Sequence, residues 1–251
     1  MKKFAILYLA IILFSACAST DSSESKNVNQ EEIWQNYWVE YNEAEEKLTA
    51  GATFRFGGST GTTLQLTEPS KLTFEDTELD FSSGVLIKGV LGGTHYGYEG
   101  RGEYKGKYSF EYTDNNGKLY VNSISTKALE VDSIPEELNA GGTNTIAFKT
   151  MPLAAGEDLS ITVSKDGGSS INFNIENAEK EVVLDGSRLN ELGNGPVTIT
   201  FTKTKNIYNL QQAGHLGGKI SLTYNSKAYK SKITNAQKPV EKPDSSVTTN
   251  N

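Results

Sequence analysis

Apolar residues recur at every second position through most of the chain, which is the signature of half-buried β-strands. Leu48, Ala50, Ala52, Phe54 and Phe56 alternate with Thr49, Gly51, Thr53 and Arg55. Leu64 with Leu66, and Leu72 with Phe74, continue the pattern. Tyr108, Phe110 and Tyr112 run into Asp114-Asn115-Asn116-Gly117, and Leu119 and Val121 follow. Asn and Gly tolerate the positive φ angles of a tight turn, so this stretch predicts a hairpin. A first all-β unit therefore covers roughly Tyr37 to Ser125.

A second unit begins near Ala128, with Leu129, Val131, Ile146 and Phe148 as its first apolar positions. Leu159, Ile161 and Val163 lead through Asp166-Gly167-Gly168 to Ile171, Phe173 and Ile175, a second hairpin. Val182 to Leu184 is a short strand, and Ser187 to Leu192 reads as one helical turn with Ser187 as N-cap and Gly193 as stop. Val197, Ile199 and Phe201 form the clearest strand, and Ile220, Leu222, Tyr224, Tyr229 and Ile233 close the unit. Many short strands joined by Gly and Asn turns predict an all-β protein with two consecutive β-sandwich, immunoglobulin-like domains. The expected boundaries are 33–126 and 127–235, with 236–251 (AQKPVEKPDSSVTTNN) a disordered tail.

Before the strands the pattern changes. Lys2 and Lys3 precede an apolar run of eleven residues, Phe4 to Phe14, then Ser15, Ala16 and Cys17, the only cysteine. The run is too short to span a bilayer, which takes about 20 apolar residues, but it suits a secretory h-region. This leader resembles a bacterial lipoprotein signal peptide with its lipobox, although Phe14 stands where that family usually has Leu. The resemblance implies cleavage after residue 16, lipidation of Cys17 with palmitate-type acyl chains, and a membrane partner reached through that lipid. Ala16-Cys17-Ala18 also fits ordinary cleavage after Ala18. The resemblance further implies the outer membrane, because Ala18 rather than Asp follows the cysteine. Residues 17–32, which open with ASTDSSESKNVNQ after the cysteine, are expected to be a disordered tether. The whole chain resembles immunoglobulin-like lipoproteins of Gram-negative bacteria of the Bacteroidota type.

Composition narrows the function classes. Lys2 and Lys3 leave with the leader, so 24 basic residues become 22 against 31 acidic ones, and the formal charge moves from −7 to −9. An acidic chain argues against nucleic acid as a partner. Two histidines, His95 and His215, and one cysteine supply no thiol or zinc constellation and imply no metal or cofactor. No nucleophile–base pair is legible, so the expectation is a non-catalytic protein. The acidic run Glu75-Asp76-Thr77-Glu78-Leu79-Asp80 lacks the ligand spacing of a calcium loop and reads as a solvated turn.

Two segments stand out as candidate ligand contacts. Trp34, Tyr37, Trp38 and Tyr41 hold both tryptophans, at spacings that fit either one face of a short helix or a strand with Trp38 opposite Tyr37. Burial as core or lid is the favoured reading of the cluster, since large aromatics are mostly buried. Gly89 to Gly106 has seven glycines with His95, Tyr96, Tyr98 and Tyr104 among them. Such a segment makes an adaptable contact loop or an edge strand with bulges. The candidate ligand-binding set is thus Trp34, Trp38, His95, Tyr96, Tyr98 and Tyr104. The expected function is a structural or protein-interaction module of the cell envelope, with an envelope protein as partner. A glycan-binding module using Trp and Tyr is the alternative, and a hydrolase comes third.

Overall fold

The computed structural model describes residues 22–82, 95–150, 152–175 and 179–237. The leader, Cys17, the tail beyond 237 and the stretch 89–94 lie outside the described residues. The first strands are β1 (Ser23–Glu24), β2 (Ile33–Asn42), β3 (Lys47–Phe56), β4 (Thr62–Gln65), β5 (Lys71–Phe74) and β6 (Thr77–Glu78). There follow β7 (Phe81–Ser82), β8 (His95–Arg101), β9 (Lys107–Thr113), β10 (Leu119–Ser125), β11 (Val131–Ser133), β12 (Glu137–Asn139) and β13 (Thr143–Phe148). The last are β14 (Glu157–Lys165), β15 (Ser170–Ile175), β16 (Glu181–Asp185), β17 (Gly195–Ile207), β18 (Gly218–Asn225) and β19 (Tyr229–Thr234). The protein is all-β, and both predicted hairpins are present as β9–β10 and β14–β15.

One twelve-stranded sheet runs through the molecule in the order β1-β4-β3-β2-β18-β17-β14-β15. Two of its long strands, β3 and β17, each carry two partners along one edge. On β3, Lys47–Ala52 pair with β8 and Phe54–Phe56 with β4. On β17, Gly195–Ile199 pair with β19 and Thr202–Ile207 with β18. A four-stranded sheet, β10-β9-β5-β6, covers the first part of the large sheet, and a three-stranded sheet, β11-β13-β16, covers the second. Two apolar cores result. One packs Tyr37, Ala52 and Phe54 against Phe74, Tyr108, Phe110 and Tyr112. The other packs Leu159, Ile161, Ile199 and Phe201 against Ile146, Phe148, Val182 and Leu184.

The two units meet through a strand pair that local periodicity does not encode. β18 lies parallel to β2 in register from Gly218 opposite Gln35 to Asn225 opposite Asn42. Ile220 and Leu222 accordingly complete the first core, and Tyr41 joins the second. The units share a backbone hydrogen-bond ladder instead of touching only by side chains.

Two local readings are corrected by the structure, and one left open between helix and strand is resolved. The segment Ser23–Glu32, expected in the disordered tether, is placed against the fold. There β1 pairs with β4, and Ser25, fully buried, donates to Asn115 Oδ1 at 2.6 Å and accepts from the Thr67 N–H at 3.0 Å. Gln30 donates to the Ser25 carbonyl at 2.7 Å and accepts from the Asn115 N–H at 3.2 Å. These polar residues are ordered by satisfying the backbone of a distant turn, which low hydrophobicity alone does not reveal. The predicted helical turn is a 3-10 turn, Gly186–Leu192, and its cap is Asp185, whose carboxylate accepts from the Ser187 N–H at 2.9 Å. The Trp34–Tyr41 cluster is strand, its burial alternating along all of β2.

Candidate functional site

The pleat of β2 sorts its aromatics between two faces. Ile33, Gln35, Tyr37, Val39 and Tyr41 point into the protein, and Trp34, Asn36, Trp38, Glu40 and Asn42 point out, each half-buried. Pairing with β3 sets Trp34 opposite Arg55, Asn36 opposite Thr53, and Trp38 opposite Gly51. Pairing with β18 sets Asn36 beside Lys219 and Trp38 beside Ser221. The outer face is therefore polar, with two indoles set into it.

Trp38 is sunk into that face. A Cβ on Gly51 would overlap the indole at Cζ2 and lie 2.5 Å from the Tyr96 carbonyl oxygen, so only glycine lets the ring lie flat on β3. His95, 5% exposed, flanks the indole with ring centroids 6.1 Å apart. The Trp38 indole N–H is buried and meets no hydrogen-bond acceptor among the described residues.

Trp34 stands differently. It lines a cleft of about 450 Å³ with Asn36, Thr53, Arg55, Ser59, Tyr208, Gly218 and Lys219. Tyr208, just past the end of β17, is 71% exposed, the most open of the large apolar side chains described. Asn36 donates from Nδ2 to Thr53 Oγ1 at 3.3 Å, which fixes its amide on the cleft floor. Arg55 reaches the Gly61 carbonyl with Nη1 at 3.5 Å. Two aromatic surfaces thus share one shallow cleft with amide, hydroxyl, guanidinium and ammonium groups, and no carboxylate lines it among the described residues.

The remaining candidates lie on the other side of the sheet. Tyr96 and Tyr98 are paired with Ala52 and Ala50, which face the core, so the same pleat carries them inward. Tyr96 is 5% exposed and its hydroxyl accepts from the Leu66 N–H at 2.7 Å, while burial pushes the phenol up to about 12. Tyr98 packs on Phe74 at 5.2 Å, and Tyr104 packs on Tyr41 at 5.2 Å and Tyr224 at 5.0 Å. The Tyr104 hydroxyl donates to the Thr126 carbonyl at 3.0 Å. Of the six sequence candidates, Trp34, Trp38 and His95 share the outer face, and only Trp34 lines the cleft. Tyr96, Tyr98 and Tyr104 are corrected from contact-loop residues to core packing. Arg55 and Asn36 were reachable by carrying the alternation outward from Trp34. Tyr208 carried no signal beyond its position after a long strand.

Two other sequence features resolve into structure. Glu75 and Asp76 make a tight turn with φ of 46° and 64°, and the Glu75 carboxylate accepts from the Ser109 N–H at 2.9 Å and pairs with Lys105 at 3.0 Å. His215 is exposed, and its backbone N–H donates to the Glu31 carbonyl at 2.7 Å. Among the described residues no helix is long and apolar enough to cross a membrane, and no cluster of His, Cys, Asp and Glu is arranged to hold a metal ion.

Fold and face together define an all-β sandwich protein with an open polar sheet face. No protein-family model matches the sequence, and no curated protein matches it. Among solved structures the chain is similar to a chain of a cytokine receptor complex, with 12% identity over 80% of this chain and 97% of that one, at a TM-score of 0.26. It is also similar to the Bacteroides ovatus mixed-linkage glucan utilization locus protein SGBP-B in complex with a mixed-linkage heptasaccharide. There the identity is 16% over 86% of this chain and 47% of that one, at a TM-score of 0.24. At such TM-scores neither likeness bears on function.

Proposed function

We propose that this chain is a non-catalytic binding module, held at the outer membrane by a lipid on Cys17, whose outer-face cleft takes an oligosaccharide. The observation that carries the reading is the placement of Trp34 and Tyr208 on one cleft with Asn36, Arg55 and Lys219. Aromatic faces stack on the apolar faces of sugar rings, and amide and guanidinium groups bond their hydroxyls. Trp34 sits on a strand paired on both sides, so the backbone that carries its ring is in place before any ligand arrives. The cleft's described lining of aromatic, amide, hydroxyl and cationic groups suits holding a sugar.

The interaction-module reading has less behind it. Leu119 and Val183, 51% and 59% exposed, are single apolar residues on different sheets, which is ordinary for any protein surface. The anchor has a geometric consequence, since the six residue steps from Cys17 to Ser23 span at most about 20 Å. A lipid on Cys17 would thus keep β1, and the sheet it joins, close to the bilayer.

A neutral glycan panel followed by calorimetry tests the proposal. Trp34→Ala and Tyr208→Ala are each expected to weaken the best glycan about tenfold, the size of a modest hot spot, and to leave unfolding within about 0.5 kcal/mol of the parent. Silence across the panel, or unchanged affinity in both variants, would overturn the glycan reading. Cys17→Ser is expected to release the chain from membranes, and retention would remove the anchor.

A further inference from the structure

The inner face of the large sheet is covered by two separate sheets, and between them the inward pleat of β17 changes character. Val197, Ile199 and Phe201 are buried apolar residues, but the next two inward positions are Lys203 and Lys205, opposite the core residues Tyr224 and Leu222. Lys203 is buried, with Nζ 3.4 Å from Glu157 Oε2 and 3.2 Å from the Pro152 carbonyl. Lys205 donates to the Ser125 carbonyl at 2.9 Å. Above them opens a cleft of about 520 Å³, within the range of small-ligand sites. One wall is the end of the four-stranded sheet, with Lys107, Thr126 and Lys127, and the other is the loop before β14, with Leu153, together with Glu157 at the start of that strand.

Its charge balance opposes that of the whole chain. Lys105, Lys107, Lys127, Lys203 and Lys205 line the cleft, and Glu157 is the one acid there among the described residues. Glu157 matches Lys203, and Glu75 outside the cleft matches Lys105. Lys107, Lys127 and Lys205 then leave a formal +3 in a protein of −7. We propose that this seam binds a small ligand carrying a phosphate or sulfate group.

Three observations support that chemistry. The ammonium groups come from three chain segments, and a lysine is a point charge that meets a tetrahedral oxyanion without needing the planar fork of arginine. Lys205 is already positioned by a backbone carbonyl, so less freedom is lost when an anion arrives. The charges also act on common ground. Lys203 is held below the usual lysine range first by burial, with Lys205 and Lys127 adding repulsion and Glu157 opposing. The acidic surroundings disfavour a long polyanion that would have to run beyond the seam, so the occupant is small.

Calorimetry on the full chain in nonionic detergent, in phosphate-free buffer of low ionic strength, tests this with glucose 6-phosphate, glucose 6-sulfate and glucose. Binding of at least one ester, with no binding of glucose, is expected, and whichever ester binds fixes the group recognised. The affinity should fall as salt is raised. Lys107→Glu with Lys127→Glu, both exposed positions, should weaken the ester at least tenfold, and Lys230→Glu, exposed on β19, should not. Absence of ester binding, equal binding of glucose, or a double variant that binds as the parent does would overturn the proposal. None of these residues touches the Trp34 cleft, so failure of one site leaves the other standing.

Discussion

Removing Glu157 tests the seam energetically. Its side chain and that of Lys203 are 4% and 2% exposed, so neither charge is screened by solvent. In Glu157→Gln the amide oxygen can still accept from the Ala154 N–H, now held at 2.9 Å, and face Lys203 Nζ, but no anion is left beside the buried ammonium. Stranding one member of a buried pair costs about 3–5 kcal/mol. A ceiling exists because Lys203 can shed its proton: from the usual 10.5, deprotonation at pH 7 costs about 5 kcal/mol at ~1.4 kcal/mol per unit. At pH 9.5 the same ceiling is only about 1.4 kcal/mol. The sign follows from proton counting. In the variant the folded lysine loses its proton below 10.5 while the unfolded chain keeps it, so stability rises with pH across that window. Urea unfolding followed by tryptophan fluorescence should therefore show a deficit of about 3–5 kcal/mol at pH 7 that shrinks to about 1–1.5 kcal/mol at pH 9.5. On the acid side the parent has its own limb. Burial raises the Glu157 carboxyl, but bonds from Thr126 and Ala154 and the charge of Lys203 outweigh it and hold the group below its usual 4.5. That contribution is present above 4.5 and is lost as pH falls through the lowered value, and the variant lacks it. Glu157→Leu with Lys203→Met removes both charges and should return to within about 1 kcal/mol of the parent. A deficit below about 1 kcal/mol at pH 7, or one unchanged at pH 9.5, would refute the reasoning.

Two further perturbations probe the outer face and the N-terminal segment. Gly51→Val drives a side chain into the Trp38 indole and the Tyr96 carbonyl, so a loss of about 1–3 kcal/mol is expected, with a red-shifted emission as the indole lifts into solvent. Unshifted emission at parental stability would show that the indole does not rest on β3. Ser25→Ala leaves Asn115 Oδ1 and the Thr67 N–H without their buried partner and should cost about 1–3 kcal/mol. Hydrogen exchange should show the loss of protection concentrated in Ser23–Glu32, and uniform loss would speak against a local role.

How much was legible depends on the range of the interaction. The hairpin at Asp114 is a local event: its carboxylate accepts from the Asn116 and Lys118 N–H groups at 2.8 and 2.9 Å, and Gly117 takes φ of 79°. All of that chemistry lies within five residues, and the turn was readable. The β2–β18 pairing was not, because alternation says that a strand has two faces and is silent about which strand lies beside it. The tyrosines of β8 show a finer limit. Gly-spaced aromatics fit a contact loop or an edge strand, and which parity faces the core is decided by Ala50 and Ala52 on β3, whose small side chains make room for Tyr98 and Tyr96. Trp34, Tyr37, Trp38 and Tyr41 satisfy helical and strand spacing alike, and only pairing on both sides resolved them.

The two tryptophans show why composition alone misplaces a binding face. Both point out of β2, yet Trp38 has Gly51 across the ladder and Trp34 has Arg55. A glycine partner offers no side chain, so the indole collapses onto the backbone and its surface is spent on the fold. The arginine opposite Trp34 carries a long side chain of its own and lines the same cleft. The two rings thus differ in their β3 partner, and the one opposite arginine is the one that lines a cleft. The same rule operates on the inner face, where β17 carries apolar residues wherever a covering sheet lies above and lysines where none does. Each proposed site is therefore a gap in coverage of one continuous sheet. The two gaps differ in what the neighbouring strands leave exposed, two aromatic rings beside amide and cationic groups on one face and, among the described residues, a lysine cluster without aromatic rings on the other.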